Sequence, residues 1–450
     1  MRNKIVGSAK KNSFVGLAAA VCVLMLLLWI KADTRQTADS VSKEQIEIGL
    51  TYWGGEPVRL ATQAAIRRFE KDNPGIVIAV SEIEWSGYSE KILTQLSTGQ
   101  TLDVIQIPYV NASEYLMKSQ LLPLDPYLEN GSLSSDGFCE DVMQPIGDGV
   151  HYYGIPSGIN CGALFYNKEI FDRFGIPHPN ENWTWDDYFQ AARELTRDTD
   201  SDGEIDLWGS ADLANDIGID IGFDRMVYER GGFIWNKDQT RTAFDSKAGL
   251  DVFQLYWSMS QEGIVPPQAM VDSNTSGKDF FEQQKVAMVI HNLTRAPIYD
   301  YNCVFSYGIT VMPRGNQYDA YWVQPTSLYC INKKSQNTDA CVRLLEYLGN
   351  ASEAYEELRY VRGVPANTCI ADQLSSRLSA TEKMMASVVT MTEERAGDVK
   401  REAYPPIYME YYRIIKSEKE AMLYGEKTPS QALADAAQAV DAILKQVYRS

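Results

Sequence analysis

The chain contains few of the residues that metal, redox or nucleotide chemistry requires. Its three histidines, His151, His178 and His291, are isolated from one another, and none of its seven cysteines stands in a CxxC pair. The sequence therefore supports neither a structural zinc site nor HExxH chemistry. It also has no Walker A motif, no Rossmann glycine fingerprint and no nucleophile elbow, so we expect no enzyme.

Positive charge is also scarce, and this excludes one class of partner. The chain has 42 Lys and Arg against 60 Asp and Glu, which gives a formal net charge of -18. The first 32 residues carry cations and no acid, so the rest of the chain is more acidic still. No stripe of Lys and Arg offsets this charge, and an acidic body repels phosphate backbones. We therefore expect no nucleic-acid partner.

The chain does contain an ordinary globular body behind one apolar run. Its 450 residues are 45% hydrophobic, which predicts two or three core-forming units. Phe14 to Ile30 is an apolar or small run of 17 residues. It predicts a cleaved signal peptide or an uncleaved membrane anchor within residues 1–32, followed by a linker at 33–45. In either case the body lies outside the cytoplasmic membrane, in the periplasm or at the cell surface.

Six cysteines remain in that body, at positions 139, 161, 303, 330, 341 and 369. An extracytoplasmic compartment permits disulfides, and six cysteines allow 15 pairings. The alternative is that they are small buried apolar residues. The sequence leaves both open.

Strand and helix patterns alternate at the start of the body. Strands are predicted at 46–53, 76–80 and 104–107, and helices at 57–72, near 89–98 and near 112–119. This alternation predicts an α/β layer with a mainly parallel sheet.

A second α/β region is predicted from Ile155 onward. Strands are expected at 163–166, 286–290, 307–311 and 327–331, and helices at 184–196, 247–261, 278–284 and 429–447. Thr184 is a candidate N-cap, and Pro429 lies in the first turn of the last helix. The body therefore has more than one α/β core.

Several short segments occur in the order found in one known family. They are 51–56 (TYWGGE), 69–76 (FEKDNPGI), 96–99 (LSTG), 103–105 (DVI), 121–125 (LLPLD), 153–156 (YGIP), 164–171 (LFYNKEIF), 183–187 (WTWDD), 286–288 (VAM), 311–315 (VMPRG) and 362–366 (RGVPA). Together they resemble the extracellular solute-binding proteins of ABC transporters. The resemblance is to the carbohydrate-binding family that includes maltose-binding protein, and it spans nearly all of residues 46–447.

This resemblance implies an α/β fold that is periplasmic-binding-protein-like, type II, with two discontinuous α/β lobes and a ligand cleft between them. Lobe 1 would comprise 46–158 and 308–348, and lobe 2 would comprise 159–307 and 349–450. The implied protein is a monomer that needs no cofactor. It captures a mono- or oligosaccharide by lobe closure and delivers it to the permease subunits in the membrane. The same fold would serve an anchored sensor for a signalling receptor, or a binder of a non-sugar solute.

Candidate ligand-binding residues follow from position and residue type. Sugar sites combine aromatic platforms with planar or charged hydrogen-bonding groups, and open α/β sheets bind ligands beyond the carboxyl ends of their strands. The residues that follow the first three strands in this way are Trp53, Glu56, Trp85, Tyr88, Tyr109 and Asn111. Asn160 lies at an expected crossing between the lobes, and Trp235 follows a pair of glycines. Trp322 and Arg362 match positions that often face the cleft in the family.

One acidic loop has the spacing of a calcium site. Carboxylates stand at positions 1, 3, 5 and 9 of the segment 198–206, with Gly203 at position 6. The candidate ligands are Asp198, Asp200, Asp202, Glu204 through its backbone carbonyl, and Asp206. Position 12 is Gly209, where a full EF-hand needs a bidentate Glu. We therefore expect a short calcium loop that stiffens the second lobe.

Overall fold

The structure is a computed structural model that describes residues 45–98, 102–117, 120–139, 142–144, 150–213, 220–315, 317–397, 402 and 404–448. The expected signal peptide or anchor at 1–32, and the linker up to residue 44, lie outside these ranges. Within them, no helix is both long and apolar enough to cross a membrane.

The described residues form strands and helices in alternation. The strands are β1 (Ile46–Trp53), β2 (Ile76–Ile83), β3 (Val104–Pro108), β4 (Gly154–Pro156), β5 (Ile159–Asn160), β6 (Gly162–Asn167), β7 (Trp208–Ser210), β8 (Val286–Asn292), β9 (Tyr307–Val311), β10 (Gln324–Pro325) and β11 (Ser327–Ile331). The α-helices are α1 (Glu56–Asp72), α2 (Tyr88–Ser97), α3 (Ala112–Met117), α4 (Asp125–Glu129), α5 (Lys168–Phe174), α6 (Trp185–Leu195), α7 (Arg225–Glu229), α8 (Lys247–Gln261), α9 (Gln268–Asp272), α10 (Ala296–Asn302), α11 (Thr338–Asn350), α12 (Ser352–Leu358), α13 (Thr368–Leu374), α14 (Ala380–Glu394), α15 (Tyr408–Leu423) and α16 (Pro429–Val447).

The first sheet has the strand order β2-β1-β3-β11-β4. Strands β1, β2 and β3 are parallel, as the sequence predicts, but β11 runs antiparallel to both β3 and β4. The expectation of a mainly parallel sheet is therefore correct only for the first three strands. Strand β11 enters from a part of the chain more than two hundred residues away, so local alternation carries no information about its direction.

The second sheet has the order β7-β8-β6-β9. Strand β9 pairs along its whole length with β6, from Tyr307 opposite Asn167 to Val311 opposite Ala163. The expected start of a lobe 1 segment at residue 308 is therefore wrong, because all five residues of β9 are buried in the second sheet. The chain returns to the first sheet at β11, after β10 has paired with β5 in a separate two-stranded sheet.

The expected boundary at residue 349 is also wrong. Helix α12 packs on α1 beside the first sheet, and Asn367 pairs with Phe138 just before α13. Helix α14 packs instead on β9 and α10 of the second sheet. The last change of sheet therefore lies at the short 3₁₀ turn Ser375–Arg377, about 25 residues later than expected.

Local capping explains where several helices begin. Thr184 accepts a hydrogen bond from the Asp187 N–H, and the Asp187 carboxylate accepts one from the Thr184 N–H, which confirms the predicted N-cap of α6. Thr428 and Gln431 form the same reciprocal pair at the start of α16. The expected helix at 278–284 is wrong. Asp279 and Glu282 bind each other's backbone N–H groups in a turn, and Gln284 adopts a φ of 59°.

Candidate functional site

The carboxyl ends of β1, β2 and β3 meet at one edge of the first sheet and carry a pair of indoles. Trp53 ends β1 opposite Ile83, and Trp85 follows β2 by two residues. The two indole centroids lie 5.3 Å apart at an interplanar angle of 51°. Trp85 is 58% exposed, whereas Trp53 is half-buried. The sheet edge therefore presents one indole to solvent, supported by a second behind it.

Tyr88 supports this pair from inside the core. Its ring lies 5.0 Å from the Trp53 ring, and its hydroxyl donates to the carbonyls of Gln106 (2.6 Å) and Thr51 (3.2 Å). The side chain is fully buried, and burial raises the pKa of Tyr88 well above its usual value. The expectation that Tyr88 contacts ligand is therefore corrected. It lies beneath Trp53, with its hydroxyl already bonded to the backbone.

Arg362 also lies behind Trp53. Its Nη2 donates to the Trp53 carbonyl over 2.5 Å, and its guanidinium carbon lies 5.0 Å from the Trp53 ring. The residue is buried, and burial holds the pKa of its guanidinium below the usual value. The structure thus brings Arg362 to the expected site but turns its charge toward the core.

The remaining candidates of the first sheet differ in exposure. Glu56 is exposed at the start of α1 and accepts from the Arg59 Nε over 2.8 Å, and this hydrogen bond lowers the pKa of Glu56. Asn111 is buried, with its Nδ2 donating to the Ser89 Oγ over 3.1 Å. Tyr109 is half-buried in the 3₁₀ turn that follows β3. Glu56 and Tyr109 therefore have solvent-exposed surface that is accessible to a ligand, whereas Asn111 stabilises the loop.

Asn160 joins the connecting strand β5 to the second sheet. Its Nδ2 donates to the Asn292 Oδ1 over 2.5 Å, and its Oδ1 accepts from the Thr294 N–H over 3.3 Å. Asn292 and Thr294 were missed in the sequence reading. They follow the carboxyl end of β8, so the rule applied to the first three strands would have found them.

The two remaining tryptophan candidates, Trp322 and Trp235, are in different environments. Trp322 is half-buried, and its ring meets the Tyr228 ring edge-on at 6.1 Å. Trp235 is only 1% exposed and packs against Tyr411 of α15, with ring centroids 4.9 Å apart. The expectation that Trp235 forms a ligand platform is therefore corrected, because its faces are covered by the core.

A cavity of about 400 Å³ lies between helices that belong to the two sheets. It is lined by Pro57, Pro297, Asp300, Tyr301, Arg359, Tyr360, Val361, Ser379, Thr381, Glu382 and Met385. At its wall the Arg359 guanidinium binds both carboxylate oxygens of Glu382. None of the expected ligand residues lines this cavity, and sequence reasoning gave no sign of it because its walls come from four separate segments.

The acidic loop brings three of its five expected ligands together. One carboxylate oxygen from each of Asp198, Asp200 and Asp202 lies within 4.8 Å of the others. The Gly203 N–H donates to Asp198 over 2.8 Å, and this bond lowers the pKa of Asp198. The Asp206 carboxylate accepts instead from the Thr199 hydroxyl and N–H. The loop is thus shaped by its own hydrogen bonds, with three acids clustered.

Comparison with known proteins places this architecture in a family. The family model described as bacterial extracellular solute-binding protein matches residues 55–355. The galactooligosaccharide-binding protein of Bacillus subtilis is 21% identical over 453 residues, covering 97% of this chain and 98% of its own. A putative binding protein of Brucella abortus is 23% identical over 438 residues, covering 96% and 98%.

Solved structures give the same result for the fold. An ABC substrate-binding protein of Listeria monocytogenes, solved with cycloalternan, has a TM-score of 0.75 at 21% identity and covers 90% of this chain and 99% of its own. An oligogalacturonide-binding protein of Yersinia enterocolitica, solved with saturated digalacturonic acid, has a TM-score of 0.76 at 17% identity, covering 89% and 99%. The chain belongs to the bacterial extracellular solute-binding proteins, whose place is outside the cytoplasm, and has their type II fold of two discontinuous α/β lobes with a cleft between them.

Proposed function

We propose that this solute-binding protein captures a mono- or oligosaccharide between its lobes and delivers it to the permease subunits of an ABC transporter. The observation that carries the proposal is the exposed indole of Trp85, held against Trp53 at the carboxyl edge of the first sheet. Sugars offer flat C–H faces that pack on such rings. The names of the relatives add support, since galactooligosaccharide, cycloalternan and digalacturonic acid are all carbohydrates.

Lobe closure follows from the way the chain is divided. We infer that lobe 1 comprises 46–158 and 324–374, and lobe 2 comprises 159–311 and 380–448. Ion pairs join them at two places: Arg359 with Glu382, and Arg413 of α15 with Glu90 of α2. A ligand that binds both lobes shifts the equilibrium toward the closed state by its differential affinity for that state.

The test is a thermal-shift screen of the chain from Asp33 against a panel of neutral and acidic saccharides. A ligand at 100 times its dissociation constant adds about 2.7 kcal/mol to the free energy of unfolding. Trp85→Ala should abolish the shift. The control Trp257→Ala removes an indole on α8 that is 40% exposed, and should keep it. A cooperative melt with no shift for any saccharide would contradict the proposal and favour a non-sugar solute.

A sensor role is the second candidate, because the same closure could report occupancy to a signalling receptor. The two roles separate after a ligand is found: a carrier stimulates ATP hydrolysis by its transporter, and a sensor does not. We further propose that the chain acts as a monomer, that it is not an enzyme, and that residues 1–32 export or anchor it.

Calcium binding by the acidic loop is the last part of the proposal. The three clustered carboxylates offer hard oxygen ligands, which calcium prefers. The loop connects α6 to β7 within lobe 2, so we expect the ion to stabilise that lobe. Its test is the last prediction in the Discussion.

A further inference from the structure

Arg362 is a buried cation that has no carboxylate partner among the described residues. Its Nε is buried and makes no hydrogen bond there. Its neighbours are the Trp53 carbonyl, the rings of Tyr52 and Trp53, and the Tyr329 side chain, which is hydrogen-bonded to the guanidinium. Buried charges are normally paired, because desolvating an unpaired charge is costly. A residue kept in this costly state has a use that packing alone does not explain.

The backbone of Arg362 lies where the chain passes between the lobes. Its carbonyl accepts from the Thr326 Oγ1 over 2.6 Å, and the Thr326 N–H donates to the Gly158 carbonyl over 2.8 Å. Two residues later, Val364 exchanges backbone hydrogen bonds with Ile159 in both directions. Two crossing segments, around residues 158–160 and 324–326, are therefore bonded to residues 361–364 of lobe 1 at Arg362.

The side chain of Arg362 leaves these crossing segments and ends at the indole pair. Nη2 binds the carbonyl of Trp53, and the guanidinium lies 5.0 Å from the Trp53 ring. The Trp53 ring in turn lies 5.3 Å from the exposed Trp85 ring. One side chain thus connects the crossing segments with the surface proposed to bind sugar.

We propose that Arg362 is a positioning residue that couples the crossing segments to the Trp53–Trp85 pair. A change in the path of the crossing segments on closure shifts residues 361–364 through these hydrogen bonds and moves the guanidinium, and with it the carbonyl and ring of Trp53. The exposed Trp85 indole then has the orientation that binds ligand in only one arrangement of the lobes. The role in ligand binding depends on the proposed function, but the coupling itself does not.

The coupling can be measured without a ligand. Two indoles at 5.3 Å and 51° give an exciton couplet in the circular dichroism spectrum, and its size depends on their mutual geometry. In the full chain, Trp85→Phe should abolish the couplet, and the control Trp257→Phe should leave it unchanged. Arg362→Met keeps an unbranched side chain but removes the guanidinium, and we expect it to lose most of the couplet. Arg362→Lys should also lose most of the couplet, because an ammonium cannot stack on the Trp53 ring as a guanidinium does.

A purely structural role would lower the melting temperature of Arg362→Met and leave the couplet of the folded protein intact, and that result would overturn the proposal. Thr326→Val provides a second variant if Arg362→Met does not fold. It removes only the bond to the Arg362 carbonyl, and a smaller loss of couplet in the same direction is expected. An unchanged couplet in Thr326→Val would then count against the coupling. A positive couplet result with no sugar shift would leave the coupling standing and remove the carbohydrate proposal.

Discussion

Among the described residues, each lobe buries one arginine, and the two are held in opposite ways. Arg225 in lobe 2 donates from its Nε to the Glu229 Oε1 over 2.6 Å and from its Nη2 to the Pro313 carbonyl over 3.2 Å. Arg362 in lobe 1 is surrounded by the Trp53 carbonyl, aromatic rings and the hydrogen-bonded Tyr329 side chain, with no carboxylate partner among the described residues. The Arg225 pair is a closed network inside one lobe, whereas Arg362 reaches from the crossing segments to a surface. A paired buried charge fixes a core, and an unpaired one can respond to movement.

Breaking the lobe 2 pair should have the largest effect. Glu229→Gln keeps the shape of the side chain but leaves the Arg225 charge buried and uncompensated, which we expect to cost about 3–5 kcal/mol of unfolding free energy. The matched control is Glu262→Gln, which breaks the exposed pair with Arg193 and should cost less than about 1 kcal/mol. Urea unfolding measures both. Equal costs for the two variants would show that the buried pair is not the stronger constraint.

Replacing Arg225 and Arg362 by the same residue compares the two environments directly. Arg225→Met leaves the Glu229 carboxylate buried with only the Trp185 Nε1 as donor, so a loss of about 3–5 kcal/mol is expected. Arg362→Met leaves no opposite charge behind, and the lost hydrogen bond to Trp53 should cost about 1 kcal/mol. The urea midpoints of the two variants give the difference. If Arg362→Met were as damaging as Arg225→Met, Arg362 would be a core constraint of the same kind.

Much of the fold could be predicted because it depends on local signals. The strand Ile46–Trp53 and the helices at 247–261 and 429–447 have the predicted bounds, since periodicity, turns and caps within each segment determine them. The wrong boundaries at 308 and 349 depend on which distant strand or helix a segment packs against. Periodicity shows that β9 is a strand but contains no information about its partner.

The candidate site divides in the same way. The rule that ligands bind beyond the carboxyl ends of strands found the Trp53–Trp85 pair, because this rule needs only the positions at which strands end. It could not separate Trp85 from Tyr88, which are three residues apart, because burial depends on the neighbouring rings and carbonyls. Trp235 was wrongly predicted to contact ligand for the same reason. The ring that packs over it belongs to Tyr411, which is 176 residues further along the chain.

The pair between the lobes and the Arg225 pair should have pH dependences of opposite sign, because the pKa of Glu382 is lowered whereas burial raises the pKa of Glu229. Burial, the largest single influence, would raise the pKa of Glu382, but the hydrogen bonds from Arg359 and Ser379 and the Arg359 charge together outweigh it and lower that pKa. A carboxylate with a lowered folded-state pKa stabilises the fold above its unfolded pKa. It loses that contribution as the pH falls through the lowered value.

We therefore expect Arg359→Gln to cost about 1.5–2 kcal/mol at pH 7 and to flatten the loss of stability on acidification from pH 7 to below the ordinary Glu pKa. Urea midpoints over that pH range measure this. Arg193→Gln, at an exposed pair, is the control and should leave the slope unchanged. If the stability of Arg359→Gln falls with pH as steeply as that of the unmodified chain, groups other than the Arg359–Glu382 pair cause the acid sensitivity.

The smallest expected effect belongs to the acidic loop of lobe 2. Three carboxylates within 4.8 Å of one another repel, and a cation among them removes that repulsion. Calcium at ten times its dissociation constant should add about 1.4 kcal/mol to the unfolding free energy, read as a rise in melting temperature over chelator. Magnesium at the same concentration should raise the melting temperature less, because its octahedral geometry suits a flexible oxygen loop poorly.

Asp200→Asn should remove the calcium shift, while Asp251→Asn, at the exposed pair with Lys247, should keep it. Equal melting in calcium, magnesium and chelator would mean that the loop holds its shape through its own hydrogen bonds, without a cation.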